Sequence, residues 1–268
     1  MDRLDHLIDD EGHQVKSCTI IGSGLSAVVV HRDDKAIKMA IVHTNDQEDE
    51  VESNRGQIRR EQRVYRRLQL DHAKPIPGIV PCLGMPGDTI ELQFMSNGTL
   101  GEWIKHRDVP SFGLQSRWIR QLAVGLSNVH ASRVIHSDIL LRNILIDGSL
   151  NAMLADFGAS TVLPLDSVMV DTVDQYNCSM WTDLFQLGLV FYSIVTGKQA
   201  GKSIYHGKSA IASLPPRNTL PSVAGLWASQ IIEECWTPGA YGAAGAAGIV
   251  AKLDNMEAVA NTFLPRRL

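Results

Sequence analysis

The chain has 268 residues, of which 44% are hydrophobic and 20% are charged, and its formal net charge at pH 7 is −4. This composition is typical of a soluble globular protein with one large domain or two small lobes, and it excludes a largely disordered chain. It also excludes the global positive field that drives non-specific nucleic-acid binding, so we predict no nucleic-acid partner.

The first third of the chain is predicted to form a small sheet with one helix. Residues 16–39 are β-branched and alternate in polarity, with breaks at 22–24 and 32–35, which predicts two or three antiparallel strands. Apolar residues then recur at helical spacing across 58–68, between five arginines, which predicts an amphipathic helix. These arginines are either a solvated helix face or a docking site for a phosphate or an acidic partner. A proline- and glycine-rich stretch leads into a further strand at 89–95.

The remainder is predicted to be mainly helical. The first helix has one apolar face, which is formed by Leu114, Trp118, Leu122, Leu126 and Val129. A region of β character follows at 134–157, then an apolar helix at 184–195, and then an end that is rich in helix and loop. We therefore predict an α+β protein with a strand-rich lobe at about 15–95 and a helix-rich lobe at about 99–264.

Residues 20–29 contain a loop of small residues whose backbone can approach an anion closely. The candidate phosphate-binding residues are Gly22, Ser23, Gly24 and Ala27. Their spacing also fits a dinucleotide-binding loop, but that fold needs a helix to begin there, and the three valines from Val28 favour a strand. A second phosphate-loop pattern fails at 201–203 because Thr196 replaces its first glycine. An ordinary hairpin turn stays open as an alternative for the two glycines taken alone.

Two polar motifs near the middle of the chain point to phosphoryl transfer. Residues 136–143 read His-Ser-Asp-Ile-Leu-Leu-Arg-Asn, and residues 155–158 read Ala-Asp-Phe-Gly. Phosphoryl transfer requires a base or positioning group for the acceptor hydroxyl, oxygen ligands for magnesium and a cation for the phosphates. Together the motifs resemble the catalytic loop and the magnesium-binding element of the protein kinase family. The resemblance spans 19–253 and implies a two-lobed kinase fold, a single kinase domain at 1–268, ATP and magnesium as cofactors, and a protein substrate.

The resemblance also implies a role for each candidate residue. Asp138 would position the acceptor hydroxyl and take its proton, while Asn143 and Asp156 would bind magnesium. Lys38, on a predicted strand, and Glu61, on the predicted helix, would form the pair that grips the ATP phosphates. The adenine would lie between apolar residues and the segment that joins the lobes, namely Val29, Ala36, Leu145 and Gln93 to Met95, with Leu92 as gatekeeper. Further matches are Tyr65, His136 and Phe157 in an apolar column, and Asp183 and Gly188 in the central helix of the large lobe.

The sequence departs from the family in its substrate-facing segment. Ser137 replaces the arginine that senses an activation-segment phosphate, which predicts activity independent of such phosphorylation. No Ala-Pro-Glu motif lies between Gly158 and Asp183. Leu140 replaces the lysine of serine/threonine kinases, and Arg142 is typical of tyrosine kinases, so these residues do not decide the acceptor. We predict a serine or threonine acceptor because it is the commoner one among kinases. Two alternatives stay open: a pseudokinase scaffold that binds nucleotide or a partner without turnover, and a small-molecule kinase of the aminoglycoside or choline type.

Cysteine spacing and the first residues predict an intracellular, cytoplasmic protein. The four cysteines lie far apart, which argues against a zinc site and against a secreted disulfide framework. Residues 1–10 lack the basic start and apolar centre of a signal peptide. The apolar stretch at 184–195 is too short to span a bilayer, so no membrane partner is predicted. The sequence makes no prediction of oligomeric state.

Overall fold

The computed structural model describes residues 7–8, 14, 16, 19–43, 46–69, 75–201, 203–205 and 211–263. The interpretations that concern Cys18, Lys202 and residues 1–6 lie outside these residues. Within the described residues the chain forms a strand-rich lobe followed by a mainly helical lobe, which confirms the predicted α+β class.

The first lobe is built on a five-stranded antiparallel sheet with the order β1-β2-β3-β5-β4. Its strands are β1 (Ile20–Ser23), β2 (Ala27–Arg32), β3 (Lys35–Ala40), β4 (Cys82–Gly84) and β5 (Thr89–Gln93). Because β2 begins directly after the glycine loop, the structure excludes the helix that a dinucleotide-binding loop requires. The strand predicted at 89–95 ends two residues early, since the N–H of Phe94 turns to the carbonyl of Asp34 at 3.3 Å.

Helix α1 (Glu48–Gln69) packs one face against this sheet. It begins with three acidic residues and has two arginines in its last turn, an order that the helix dipole favours. Its buried residues repeat at helical spacing and include Ile58, Glu61, Val64, Tyr65 and Leu68. The helix predicted from the apolar repeat is therefore present, it starts ten residues earlier than that repeat, and its inner face carries a buried glutamate.

The second lobe is assembled from helices, which are α2 (Leu100–His106), α3 (Phe112–Ala131), α4 (Met180–Thr196), α5 (Ser229–Cys235) and α6 (Ala246–Phe263). The predicted apolar face of α3 is buried at Trp118, Leu122 and Leu126. Helix α4 is buried along most of its length because α3 and α5 pack against it. Among the described residues, no helix combines the length and the apolar character needed to cross a membrane.

The packing of α4 against α5 depends on Gly188. A Cβ at this position would lie 2.7 Å from the Cβ of Cys235 and 2.8 Å from Nε1 of Trp236, closer than packed atoms approach. Only glycine therefore lets the two helices meet at this distance. The resulting contact fixes α4, which carries Asp183 one and a half turns earlier.

Four short strands place the two polar motifs side by side. They are β6 (Val134–Ile135), β7 (Ile144–Ile146), β8 (Ala152–Leu154) and β9 (Thr161–Val162), with β6 paired to β9 and β7 paired to β8. The catalytic-loop motif connects β6 to β7, and the second motif connects β8 to β9. The N–H of Ala155 donates to the carbonyl of Asn143 at 2.9 Å, so the motifs are joined directly.

Candidate active site

A largely buried lysine on β3 contacts one carboxylate from each lobe. Nζ of Lys38 on β3 donates to Oε2 of Glu61 at 2.6 Å and to Oδ1 of Asp156 at 2.7 Å. The side chain of Lys38 is 12% exposed and that of Glu61 is 1% exposed. The second oxygen of Glu61 accepts the N–H of Phe157 at 3.2 Å. Strand β3, helix α1 and the 155–158 motif are therefore held in one arrangement by charge-assisted hydrogen bonds.

The pKa values of these groups follow from burial and from their mutual charges. Burial alone would lower the pKa of Lys38, but the carboxylates of Glu61 and Asp156 outweigh it and raise that pKa above its usual range. Burial acts to raise the pKa of Asp156, but the Lys38 ammonium outweighs it and the pKa is lowered. Burial raises the pKa of Glu61, with Lys38 opposing the shift. Lys38 is thus held as a cation, which is the state that binds phosphate oxygens.

Side chains of helix α4 fix the backbone of the catalytic loop through hydrogen bonds. Both carboxylate oxygens of the fully buried Asp183 accept backbone N–H groups of residues 136–137, each at 2.8 Å. Gln186, one turn further along α4, accepts the N–H of Ile139 at 3.3 Å. Asp138 lies between these anchored residues, so its backbone position is fixed by a buried polar network.

Asp138 and Asn143 are in direct contact across the catalytic loop. The amide nitrogen of Asn143 donates to the backbone carbonyl of Asp138 at 2.9 Å and to its Oδ2 at 2.7 Å. Nη2 of Arg142 also donates to Oδ2 at 3.1 Å, but the Arg142 side chain is 68% exposed. Water therefore weakens the Arg142 contact, whereas the Asn143 contact is partly buried and orients the carboxylate.

The predicted magnesium ligands offer the oxygen donors that this ion prefers. The amide nitrogen of Asn143 is engaged by Asp138, which leaves its carbonyl oxygen, and Oδ1 of Asp156 is engaged by Lys38, which leaves Oδ2. Magnesium is usually held by one or two carboxylates together with waters and substrate phosphates. In the part of the chain that the structure describes, no group of three or more His, Cys, Asp or Glu side chains is arranged to hold a metal. The donor set therefore fits a magnesium ion that arrives with a nucleotide.

The predicted phosphate loop is a tight turn between β1 and β2. The N–H of Gly24 donates to the carbonyl of Ala27 at 2.8 Å, while Ser23 lies opposite Val28 and Gly22 opposite Val29 in the ladder. At the tip of the turn the carbonyl of Ser26 accepts the N–H of Ile41 at 2.9 Å, while the Leu25 side chain is 86% exposed. The tip of the loop is therefore held against the end of β3 by one backbone hydrogen bond and is exposed to solvent at Leu25.

The predicted adenine-binding residues converge where the lobes join. In the ladder of β2 with β3, Val29 pairs with Lys38, so Val29, Lys38 and Ala36 share one face of the sheet. Ala36 pairs with the gatekeeper Leu92, and Lys35 pairs with Gln93 at the end of β5. Met95 is buried just beyond the end of β5. In the second lobe, Leu145 forms an isolated β-bridge with Thr99. Phe94, between Gln93 and Met95, stacks on His31 with a centroid distance of 3.8 Å.

The predicted apolar column is present at the centre of the molecule. The Phe157 ring meets Tyr65 edge to face with centroids 5.3 Å apart, and it lies 4.9 Å from His136. All three side chains are buried. Because Tyr65 follows Glu61 by one turn of α1, the column and the Lys38 pair are positioned together.

Three residues that the motifs did not indicate are linked by hydrogen bonds beside Ser137, which adopts a left-handed backbone with φ of 69°. The Tyr205 hydroxyl lies 3.3 Å from the Ser137 carbonyl and 3.1 Å from Sγ of the buried Cys178. Burial raises the pKa of Cys178, which keeps it a neutral thiol. The third residue, Asp174, accepts the Thr161 hydroxyl at 2.7 Å and two backbone N–H groups of residues 176–178 at 2.8 Å. Their chain positions match no family motif, so only the structure identifies them.

A cavity of about 350 Å³ lies beside the catalytic loop. Its walls come from the catalytic loop, α2, α4 and the segment after α4, and its charged lining residues are Glu102, Lys105 and Arg142. Since Arg142 also contacts Asp138, the cavity opens next to the candidate base.

Comparisons with known proteins agree with this geometry. A family model described as the protein kinase domain matches residues 15–214. A putative serine/threonine-protein kinase/receptor of Acanthamoeba polyphaga mimivirus is 30% identical over 185 residues, which is 63% of this chain and 11% of that protein. Wall-associated receptor kinase 1 of Arabidopsis thaliana is 27% identical over 184 residues, covering 59% of this chain and 25% of that protein. The Caenorhabditis elegans mitogen-activated protein kinase kinase kinase dlk-1 is 26% identical over 139 residues, which is 47% of this chain and 15% of that protein.

The chain therefore spans between 11% and 25% of the length of these three relatives. The family model, by contrast, covers most of the chain and includes the lysine of β3, the catalytic loop and the 155–158 motif. On this match, the chain belongs to the protein kinase family.

Proposed function

We propose that this chain is an ATP-dependent protein kinase that transfers the γ-phosphoryl group to a hydroxyl of a protein substrate. The observation that carries the proposal is the simultaneous contact of Lys38 with Glu61 and Asp156, at 2.6 and 2.7 Å. This arrangement keeps a cation charged where ATP phosphates would lie, and the contact of Asn143 with Asp138 orients a carboxylate in the catalytic loop, which is hydrogen-bonded to the 155–158 motif.

Each candidate residue has one task in this proposal. Lys38 would bind the ATP phosphates and Glu61 would hold its ammonium group in place. Asn143 and Asp156 would hold magnesium, which supplies positive charge to the phosphate oxygens. Asp138 would orient the acceptor hydroxyl and take its proton as the new O–P bond forms and the bond to the β–γ bridging oxygen breaks, leaving ADP.

The nucleotide would lie between the glycine loop and the second lobe. Backbone N–H groups of 22–27 would face the phosphates, the apolar face formed by Val29 and Ala36 would cover one side of the adenine, and Leu145 the other. Residues 93–95 would meet the adenine edge. The exposed tip of the loop and the shared face of β2 and β3 support this placement.

We further propose a serine or threonine acceptor. The mimivirus relative bears the name of a serine/threonine kinase, which supports the choice. Leu140 and Arg142 at the catalytic loop leave tyrosine as the alternative acceptor. Activity would not require phosphorylation of the activation segment, because Ser137 offers no cation for that phosphate and Asp174 already ties the segment by three hydrogen bonds.

One observation favours a second candidate function, a pseudokinase scaffold. Nη2 of Arg142 lies 3.1 Å from Oδ2 of Asp138, the carboxylate to which a substrate hydroxyl would bind. The exposure of Arg142 makes it easy to displace, which favours catalysis. A scaffold would instead keep this ion pair and bind nucleotide or a partner without turnover.

The test is phosphoryl transfer from radiolabelled ATP with magnesium to peptides that carry serine, threonine or tyrosine. The wild type should label the serine and threonine peptides, and Asp138→Asn should bind ATP but transfer no label. Lys38→Met should weaken ATP binding and turnover together. ATP binding by the wild type without transfer to any peptide or to itself would favour the scaffold, and transfer only to choline or an aminoglycoside would favour the small-molecule kinase.

We also propose that one kinase domain accounts for the chain, with lobes at about 15–95 and 99–264, and that it acts inside the cell, in the cytoplasm. The described cysteines support the location, since Cys82, Cys178 and Cys235 are free thiols, as a reducing compartment requires. Fractionation of cells that express a tagged chain checks this, and recovery in a secreted fraction would contradict it.

A further inference from the structure

Helix α1 carries six arginines, and these differ in their partners. Arg59 is bound by Asp88 through Nε at 2.7 Å and by Glu52 through Nη1 at 2.6 Å. Arg63, Arg66 and Arg67 lie further along the helix and line an open cleft of about 280 Å³, whose other wall is Val162 of β9. The cleft is therefore framed by the helix that carries Glu61 and by the strand that follows the 155–158 motif.

The cleft arginines have no carboxylate partner among the described residues. Arg67 donates to the carbonyl oxygens of Leu163 at 2.8 Å and Ser132 at 3.3 Å, and Arg66 donates to Oε1 of Gln62 at 3.1 Å. Arg63 is exposed and makes no hydrogen bond or ion pair with any described residue. Positions i, i+3 and i+4 lie on one side of a helix with Cβ atoms about 5–6 Å apart, so three like charges repel one another here.

This geometry is suited to a phosphate group. Guanidinium groups form paired, charge-assisted hydrogen bonds to phosphate oxygens, and a doubly charged anion would relieve the repulsion among the three arginines. Arg66 and Arg67 are already held by neutral acceptors, which reduces the entropy lost when an anion binds. Val162 contributes an apolar wall without a competing negative charge.

We propose that Arg63, Arg66 and Arg67 form a binding site for a phosphate monoester, separate from the ATP site. Arg67 links α1 to the carbonyl after β9, so a ligand in the cleft strengthens the connection between the helix of Glu61 and the segment that begins at Asp156. Binding in the cleft and binding of ATP are therefore coupled, and the coupling acts equally in both directions.

The test is calorimetric titration of the full chain with inorganic phosphate and, separately, with a phosphoserine peptide and its unphosphorylated form. Arg63→Gln combined with Arg66→Gln should weaken binding of both phosphate ligands about tenfold or more, because charge-assisted hydrogen bonds are lost. The matched control is Arg60→Gln, which removes the same charge from an exposed position of α1 outside the cleft and should bind like the wild type.

Three results would overturn the proposal: no binding of either phosphate ligand by the wild type, equal loss in the Arg60 control, or equal binding of the unphosphorylated peptide. Tighter binding of the phosphopeptide than of inorganic phosphate would identify a phosphorylated protein as the source of the group, and equal affinity would identify free phosphate. Thermal unfolding of each variant verifies that a loss of binding is not a loss of fold. Since none of these measurements needs phosphoryl transfer, their outcome is independent of the proposed kinase activity.

Discussion

Replacing Asp174 by alanine should release the segment between β9 and α4. The Asp174 carboxylate accepts the Thr161 hydroxyl at 2.7 Å and the backbone N–H groups of Tyr176 and Cys178 at 2.8 Å. These contacts tie the two ends of residues 162–173 together. Alanine removes all three acceptor contacts, while the backbone bond from the N–H of Asp174 to the carbonyl of Cys178 remains.

The magnitude follows from the number and exposure of these bonds. A hydrogen bond to a charged group contributes roughly 1.5–3 kcal/mol to stability, and bonds that share one partially exposed carboxylate are not additive. We therefore expect the loss of all three contacts to cost about 2 kcal/mol, near the low end of the range for a single hydrogen bond to a charged group. At about 1.4 kcal/mol for each factor of ten, local opening of the segment becomes about 30 times more frequent.

Hydrogen–deuterium exchange followed by mass spectrometry measures this opening directly. Peptides that cover 163–178 should exchange about 30 times faster in Asp174→Ala, while peptides from α3 should be unchanged. Asp171→Ala is the matched control, because Asp171 is an exposed carboxylate in the same segment. Unchanged exchange in Asp174→Ala, or equal acceleration in the control, would refute the idea that this carboxylate anchors the segment.

Three further predictions test the site and its support. Glu61→Gln should lower kcat/KM about tenfold or more, because Lys38 loses the buried charge that orients it, and unchanged steady-state kinetics would contradict this. Gly188→Ala should lower the free energy of unfolding in urea by about 1–3 kcal/mol, because the added Cβ has no room at the contact of α4 with α5. Gly56→Ala, at an open position of α1, should instead raise it by about 0.5–1 kcal/mol. Equal effects of the two substitutions would show that the α4 contact does not require glycine. The pKa of Asp156 is lowered below 3.8 and that of Lys38 is raised above 10.5, so the stability from their pair is fully present between these values. This stability is lost as the pH falls through the Asp156 pKa or rises through the Lys38 pKa. The difference in the free energy of unfolding in urea between the wild type and Asp156→Asn should therefore not change with pH between these two values. A difference that changes with pH near neutrality would count against the pairing.

The sequence was sufficient where chemistry or a long period dictates residue type. Lys38 and Asp156 are 118 residues apart, yet both were predicted because phosphate and metal binding restrict those positions to a few side chains. Helices α1 and α3 were predicted from their buried faces, since a helix of twenty residues repeats its apolar pattern several times. Whether the site residues perform their assigned roles stays a prediction until the kinase assay is done.

The sequence was insufficient where a short element depends on a distant partner. Strand β9 has two residues and exists because it pairs with β6, where Val162 lies opposite Val134. Strand β4 has three residues within a proline- and glycine-rich stretch that resembles a loop, and its partner is β5. Helix α2 has seven residues, fewer than two turns, and starts with Thr99 capping the N–H of Glu102. None of these contains enough residues to show a period.

The missing arginine at position 137 and the carboxylate at position 174 have one physical explanation. Ser137 is 2% exposed, so an arginine side chain starting there would need an anion to avoid an unpaired buried charge. In this chain the Ser137 carbonyl instead meets the neutral hydroxyl of Tyr205, which also contacts Cys178, and no added anion is required. The negative charge that orders the segment is supplied by Asp174, a permanent part of the chain, so the segment is ordered without a phosphate. Under the proposed function, regulation by phosphate would then act at the arginine cleft between α1 and β9, on the helix that holds Glu61 against Lys38.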